Sequence, residues 1–255
     1  MLRTVARYDR IVDASLERAW ENVRDWEHLP WLHSSSFHSI ALLGQSSAGW
    51  QARIGLPTGD EIVLELVIDG ARYVSRTLEG NGAGTEIWTE LQPQDETRTH
   101  VQVSFNLPGL AGQPDATLDK LGALLRGLYT RLWDEDEAMM IERAAALARL
   151  AEPSPRELDL GPREALRFPF DIDAGGQRLR ITELGGELRV DTRTCPHWLG
   201  PLEPTEDPTV VQCPWHGYRF DPQTRKSCDG RGLRLPAPPA LRLDSGRVIL
   251  DWPSP

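Results

Sequence analysis

The sequence is poor in cysteine, in long apolar runs and in basic charge. Three cysteines among 255 residues are too few for a disulfide scaffold, so in a reducing compartment their thiols are free to bind metal. No apolar run approaches the ~20 residues that span a bilayer, and the N-terminus lacks the apolar segment of an export signal. We therefore expect a cytoplasmic protein without a membrane span.

The charge balance is acidic, with a formal net charge of −10. Nucleic acid is excluded as an expected partner, because its phosphates would be repelled and no local basic stripe overrides the average. The length of 255 residues suits two domains, each of which can bury its own core.

The N-terminal part, 1–150, changes its periodicity twice. A strand is predicted over 3–14 and a helix over 15–29, capped by a serine and closed by a proline. Six short β-rich runs separated by turn residues occupy 38–107 and predict an antiparallel meander. Apolar residues at three- and four-residue spacing then predict a long helix over 116–150.

The segment 151–162, AEPSPRELDLGP, breaks all periodicity and is predicted to be a linker. The remaining chain, 163–255, consists of short strand and turn patterns and predicts a small all-β domain. A domain of this size needs an additional source of stability, which a metal site would supply. The predicted fold class is therefore α+β.

Two similar loops in this C-terminal part carry cysteine and histidine together. The first reads CPHWLGPL from Cys195 and the second CPWHGYRF from Cys213, so that His197 and His216 follow the cysteines closely. Two thiolates and two imidazoles in such loops can hold either one zinc ion or an iron–sulfur cluster. Zinc sites, however, commonly pair cysteine with cysteine within a loop, whereas each loop here supplies one of each kind.

These loops, with the continuation FDPQTRKSCDGRGLRLP, resemble the two cluster loops of Rieske [2Fe-2S] domains. The resemblance implies that Cys195 and Cys213 hold the inner iron, while His197 and His216 hold the outer iron near the surface. Further cysteines typical of respiratory-complex Rieske proteins are lacking, so the oxygenase and ferredoxin branch is the more similar one. Cys228 is expected to be a small buried apolar residue rather than a ligand.

The phrase LERAWENVRDWEHLPWL, followed by the meander and the long helix, resembles the START-like (polyketide cyclase, SRPBCC) proteins. That resemblance implies a helix-grip fold, in which a curved antiparallel sheet wraps around the last helix and encloses an apolar cavity. The commonest use of this fold is to bind a hydrophobic ligand.

The catalytic domains of Rieske non-haem iron oxygenases use an elaborated form of the same fold, and their iron histidines follow the first helix in a D/N-x-x-H-x4-H pattern. Asp25, His28 and His33 match it. Asp136 falls on the apolar stripe of the long helix, where a carboxylate is costly unless it is paired or bound to a metal. The resemblance implies that His28, His33 and Asp136 bind a mononuclear Fe(II) as a facial triad, and that Asp25 is the carboxylate that passes the electron.

Alternatives remain for these residues. His38 repeats the four-residue spacing after His33 and is a second candidate ligand, and Asp134 is a second candidate carboxylate, although it should face away from the stripe. Asp136 could instead pair with Arg143. His28 could simply interact with the helix dipole.

The sequence thus predicts a Rieske-type oxygenase with reversed domain order. Its expected partners are an external reductase or ferredoxin, a hydrophobic small-molecule substrate and, by the resemblance, two further copies in a homotrimer. The alternative is an electron-transfer or redox-sensing protein whose START-like domain binds a hydrophobic ligand without a second metal. A weaker third hypothesis is a cyclase-like enzyme that uses a cavity acid.

Overall fold

The structure is a computed structural model that describes residues 2–253. The chain divides into two compact units between Ile141 and Glu142. Among the described residues, no helix combines the length and the apolar character that crossing a bilayer requires.

The described part of the N-terminal unit follows the predicted order of strand, helix, meander and long helix. The elements are β1 (Leu2–Val12), α1 (Leu16–Arg24), α2 (Leu29–Leu32), β2 (Ser39–Ser46), β3 (Gly49–Gly55), β4 (Glu61–Asp69), β5 (Arg72–Glu79), β6 (Glu86–Pro93), β7 (Thr99–Pro108) and α3 (Asp115–Leu150). The strands form an antiparallel sheet in the order β1-β7-β6-β5-β4-β3-β2. This is the helix-grip arrangement that the sequence predicted.

The first helix is shorter than predicted. Ser15 caps α1, but the helix ends at Asp25, whose backbone is extended, rather than continuing to Leu29. Pro30 lies in the first turn of the separate helix α2, where its missing N–H leaves no bond unmade. The proline therefore begins a new helix instead of closing the old one, and the bend between α1 and α2 carries Asp25 and His28.

Helix α3 packs against the sheet through a mixture of small and aromatic residues. A Cβ on Gly122 would lie 3.1 Å from Ala6 Cβ, so the helix approaches β1 closely at this point. About two turns further on, the Tyr129 ring contacts Phe105 edge-on at 4.8 Å, and about one turn after that Trp133 is buried in the same core. Burial of such large rings is a major part of what holds the sheet and helix together.

The C-terminal unit is built from short strands. They are β8 (Glu157–Pro162), β9 (Phe170–Ala174), β10 (Gln177–Leu184), β11 (Glu187–Thr192), β12 (Glu203–Pro204), β13 (Val211–Gln212), β14 (Arg219–Phe220), β15 (Ala240–Asp244) and β16 (Arg247–Asp251). Within the described residues they form three-stranded antiparallel sheets in the orders β11-β10-β9, β12-β13-β14 and β15-β16-β8. The α+β class is thereby confirmed.

The limits of the domains stay a prediction. Strand β8 occupies half of the predicted linker, 151–162, because its backbone pairs with β16. The two compact units divide at residue 141, inside α3, rather than at residue 150.

Candidate metal centres

The two cysteine-histidine loops have the same backbone architecture. In the first loop the Cys195 N–H bonds to the Gly200 carbonyl, and the Leu199 N–H bonds back to the Cys195 carbonyl, at 2.8 and 3.0 Å. In the second loop Cys213 makes the equivalent bonds with Tyr218 and Gly217, both at 2.9 Å. These closed turns hold each cysteine and its histidine on one side of the loop.

The matching bends of these loops both require a positive φ. Gly217 has φ 68° and Leu199 has φ 63° at the equivalent position. Such a conformation costs glycine little and costs a leucine about 1 kcal/mol or more. The first loop therefore stores backbone strain, which the surrounding contacts must offset.

The structure brings the four Rieske donors together. Cys195 and Cys213 are buried and hydrogen-bonded through their sulfur atoms, and the rings of His197 and His216 lie 4.6 Å apart. The hydrogen bond that the Cys213 thiol donates to the Cys195 sulfur, together with burial, raises the pKa of Cys213 and lowers that of Cys195. Two buried sulfurs beside two imidazoles are a donor set that fits a [2Fe-2S] cluster with thiolates on one iron and histidines on the other.

Gly200 is part of the same cradle. A Cβ at this position would lie 2.7 Å from the Trp215 ring and 2.9 Å from Cys213 Sγ, so no side chain fits there.

Cys228, by contrast, is exposed, and the expectation that it is buried was wrong. It lies in the loop after β14.

A second group of donors lies in the N-terminal unit. His28 directly precedes α2, His33 directly follows it, and Asp136 projects from α3; one ligand atom from each lies within 4.8 Å of the others. All three are buried, and the Nε2 atoms of His28 and His33 lie 3.5 and 3.1 Å from the same Asp136 oxygen. Two imidazoles and one carboxylate with converging donor atoms match a facial-triad iron site.

The outer nitrogens of both histidines face further carboxylates. His33 Nδ1 lies 2.6 Å from Glu135 Oε2, and His28 Nδ1 lies 3.4 Å from Asp25 Oδ2. In metal sites such carboxylates fix the tautomer and the orientation of the ring, so that Nε2 presents its lone pair to the ion. Asn22 also donates a hydrogen bond of 2.8 Å to Asp136.

Electrostatics favour the ionised form of the buried carboxylate. Burial alone would raise the pKa of Asp136, but His33, His28 and the amide of Asn22 outweigh it, and the pKa is lowered. Burial likewise opposes a charge on His33, but Asp136 and Glu135 outweigh it and raise its pKa. The site therefore favours an ionised Asp136 carboxylate beside His33 and His28.

The alternative ligands lie elsewhere. His38 is exposed, and Asp134 is paired at 2.6 Å with Arg10 on the outer side of α3. Arg143 donates to the Trp198 carbonyl at 2.9 Å, while the contacts of Asp136 are with His28, His33 and Asn22. The structure brings His28, His33 and Asp136 together; their role as ligands stays a prediction.

The triad lies in the wall of an apolar cavity of about 240 Å³. Its lining residues come from the region of the first bend, from strands β3 to β6 and from α3; the apolar and aromatic ones are Val23, Leu29, Phe37, Trp50, Ile62, Leu64, Leu66, Tyr73, Ile87, Leu128, Tyr129, Leu132 and Trp133. Burial raises the pKa of both tyrosines, which therefore keep their O–H groups. A small, largely apolar molecule would fit beside the donor atoms.

Sequence reasoning missed several of these residues. Glu135, Asn22, Tyr73 and Tyr129 border the triad, yet none belongs to a recognisable motif. The position of Glu135 beside Asp136 is the one signal that the sequence offered. The tyrosines come from a strand and a helix that only the fold brings together.

Comparison with known proteins identifies the C-terminal part. Residues 155–243 match the Rieske [2Fe-2S] domain model, and this part of the chain is a Rieske domain. The protein therefore carries an iron–sulfur, electron-transfer module. No curated protein sequence matches the chain.

Solved structures similar to the chain align with about half of it. They include an aromatase/cyclase from a Streptomyces species, at 14% identity over 56% of this chain and 96% of that chain, with a TM-score of 0.47. A START superfamily protein from Mycobacterium smegmatis is 20% identical over 52% and 97%, with a TM-score of 0.45. Norcoclaurine synthase from Thalictrum flavum, in complex with dopamine and hydroxybenzaldehyde, is 15% identical over 56% and 88%, with a TM-score of 0.43.

Proposed function

We propose that the protein is a Rieske-type non-haem iron oxygenase, in which electrons pass from a [2Fe-2S] cluster to a mononuclear Fe(II) that activates dioxygen to hydroxylate a hydrophobic substrate. The observation that carries this proposal is the convergence of buried His28, His33 and Asp136 on an apolar cavity, in a chain that also contains a Rieske domain. A Rieske domain alone names no reaction, and the triad supplies the place where one can occur.

Four residues of the Rieske loops would hold the cluster: Cys195 and Cys213 on the inner iron, and His197 and His216 on the outer one. When bound, the cluster supplies single electrons, and an iron(II) ion with three protein ligands supplies open positions for dioxygen chemistry. Both donor sets fit these groups in residue type and in burial.

The protein's own residues prepare the iron site. Glu135 lies within hydrogen-bond distance of His33 Nδ1, and Asp25 lies 3.4 Å from His28 Nδ1, so the Nε2 atoms face inward. Aromatic rings, among them those of Phe37, Tyr73 and Trp133, line the same cavity.

The reaction needs reducing equivalents from outside. Hydroxylation by one oxygen atom consumes dioxygen, two electrons and two protons and releases water; addition of both atoms consumes the same electrons and protons. An external reductase or ferredoxin is the proposed donor. Asp25, whose side chain is 6% exposed and lies beside His28, is the proposed route for the electron. By resemblance to the oxygenase family, the proposed assembly is a homotrimer.

One observation favours the alternative, a ligand-binding electron-transfer or redox-sensing protein. Asp136 already accepts a hydrogen bond from Asn22 and lies 3.1 Å from His33, so its burial does not by itself demand a metal. In that case the cavity binds a hydrophobic molecule and the chain carries the cluster irons alone.

Counting iron and acid-labile sulfide on anaerobically purified protein separates the two functions. An oxygenase gives three irons to two sulfides, and His28→Ala gives two to two with the reduced Rieske EPR spectrum intact and no substrate-dependent oxygen uptake. His38→Ala is the matched control, because this exposed histidine should leave all values unchanged. Two irons to two sulfides in the unaltered protein, even after anaerobic Fe(II) reconstitution, would establish the alternative.

A further inference from the structure

The outer Rieske histidine His197 has an aromatic ring stacked on it. The Tyr218 ring is nearly parallel to the imidazole, with an interplanar angle of 18° and a centroid distance of 4.3 Å. The guanidinium carbon of Arg231 in turn lies 3.9 Å from the centroid of the Tyr218 ring. Cation, phenol and imidazole thus form one stack that ends at the proposed cluster.

The other outer histidine has a similar neighbourhood. The Trp198 ring lies 5.7 Å from His216, and the guanidinium carbon of Arg143 lies 4.4 Å from the centroid of the same indole. Arg143 also donates a hydrogen bond of 2.9 Å to the Trp198 carbonyl, which holds it in place. Each histidine therefore contacts an aromatic ring that itself carries an arginine.

Arg231 lies in a tight turn after the second loop. Gly230 and Gly232, on either side of it, have φ values of 74° and 73°, so the chain reverses tightly at this point. The Asp229 carboxylate accepts from the Arg231 backbone N–H at 3.2 Å and lies 3.4 Å from its Nε. The FDPQTRKSCDGRGLRLP segment thus places the Arg231 guanidinium over the Tyr218 ring, on the histidine side of the proposed cluster.

We propose that Arg231, acting through Tyr218, and Arg143, acting through Trp198, raise the reduction potential of the Rieske cluster. The reduced cluster holds one electron more than the oxidised one, so a nearby positive charge stabilises it preferentially. The rings occupy the space between each arginine and its histidine, and the charge acts through them with less screening than through solvent. The inference rests on the cluster ligands named in the proposed function.

The carboxylate beside Arg231 limits the effect without abolishing it. Asp229 compensates part of the charge, and solvent screens part of it because the Arg231 side chain is 42% exposed; the guanidinium, rather than the carboxylate, nevertheless lies over the ring. We expect that removal of the Arg231 charge changes the one-electron equilibrium constant by three- to tenfold, which corresponds to about 30 to 60 mV at ~59 mV per tenfold.

The test is a redox titration of the full-length, cluster-loaded protein with dithionite, followed by EPR or visible circular dichroism. Arg231→Gln removes the charge and should lower the potential, whereas Arg231→Lys keeps the charge and should restore most of it. Arg247→Gln is the matched control, since this arginine of β16 is 47% exposed and is also paired with an aspartate, at 2.7 Å from Asp159. The reduction potential of the Arg247→Gln variant should equal that of the unaltered protein within experimental error.

The two arginines allow a further check. Arg143→Gln should lower the potential in the same direction, and the double variant with Arg231→Gln should show the sum of the two shifts, because each acts through a separate histidine. Equal potentials for Arg231→Gln and the unaltered protein, with an intact Rieske spectrum, would overturn the inference while leaving the cluster assignment standing. Equal losses in the glutamine and lysine variants would overturn it too, because they would indicate packing rather than charge. A protein without a Rieske spectrum would overturn the cluster assignment itself, and with it this inference.

Discussion

Replacing Asp136 by asparagine should remove the iron-dependent part of the protein's stability. The amide has the shape of the carboxylate and can still accept the hydrogen bond from Asn22, so the fold around the cavity is preserved. The charge that attracts the metal is lost. Loss of a residue that only orients a metal ligand lowers metal affinity by about 10- to 100-fold, so loss of the anionic ligand itself should lower Fe(II) affinity by about 100-fold or more.

Linkage converts this into a thermal shift. With free Fe(II) at about 100 times the dissociation constant of the unaltered protein, binding to the native state adds about 2.7 kcal/mol, against about 0.4 kcal/mol for Asp136→Asn. For a unit of this size, the unaltered protein should gain roughly 5 to 10 °C in melting temperature and the variant about 1 °C.

The assay is anaerobic thermal unfolding with and without Fe(II), followed by a signal of the N-terminal unit such as tryptophan fluorescence. Asp134→Asn is the control, because Asp134 lies two residues away on the same helix, is exposed and pairs with Arg10. This variant should change the melting temperature without iron only slightly and should show the full iron-dependent increase. An equal shift in the Asp136→Asn and unaltered proteins, or none in either, would refute the proposed ligand.

Three further predictions concern two single positions and one pair of glycines. Glu135→Gln should lower Fe(II) affinity by about 10- to 100-fold in a direct titration, because it loosens the ring that the carboxylate orients; unchanged affinity would show that the contact is incidental. Gly200→Ala should reduce the sulfide content of the purified protein, since its Cβ would come within 2.9 Å of Cys213 Sγ; full sulfide content would contradict the close cradle. In α3, Gly127→Ala points into open space and should stabilise the protein by about 1 kcal/mol, whereas Gly122→Ala meets β1 at 3.1 Å and should gain less or lose stability, as measured by denaturant unfolding. Equal effects of these two alanines would argue against the close approach of helix and sheet.

The sequence predicted the strands and the long helix well because their periodicity depends on a single buried face. Val101, Val103 and Phe105 alternate with polar neighbours and are all buried on β7. The error in the first helix arose from Pro30, which can end one helix or begin the next with the same local chemistry. Local sequence does not distinguish these outcomes, and the packing of the following turn decides between them.

The site was predictable where spacing carried the information. One bend of the chain contains Asp25, His28 and His33 at the expected spacing. Asp136 was recognisable because it is a charged residue on an apolar stripe. Glu135 could not be assigned in the same way, because a charged residue beside the stripe is ordinary on an exposed helix. Its role depends on the rotation of α3 against α2, which no local pattern encodes.

The position of Asp136 on α3 has a consequence for how this protein can change through insertion and deletion. Each residue of a helix turns the next by about 100°, so one residue added or removed earlier in α3 would carry the carboxylate off the cavity wall. Leucines and alanines are frequent along α3, and the shifted helix could still present an apolar face to the sheet. Such a length variant would lose the triad, and with it the proposed metal binding, in a single genetic step.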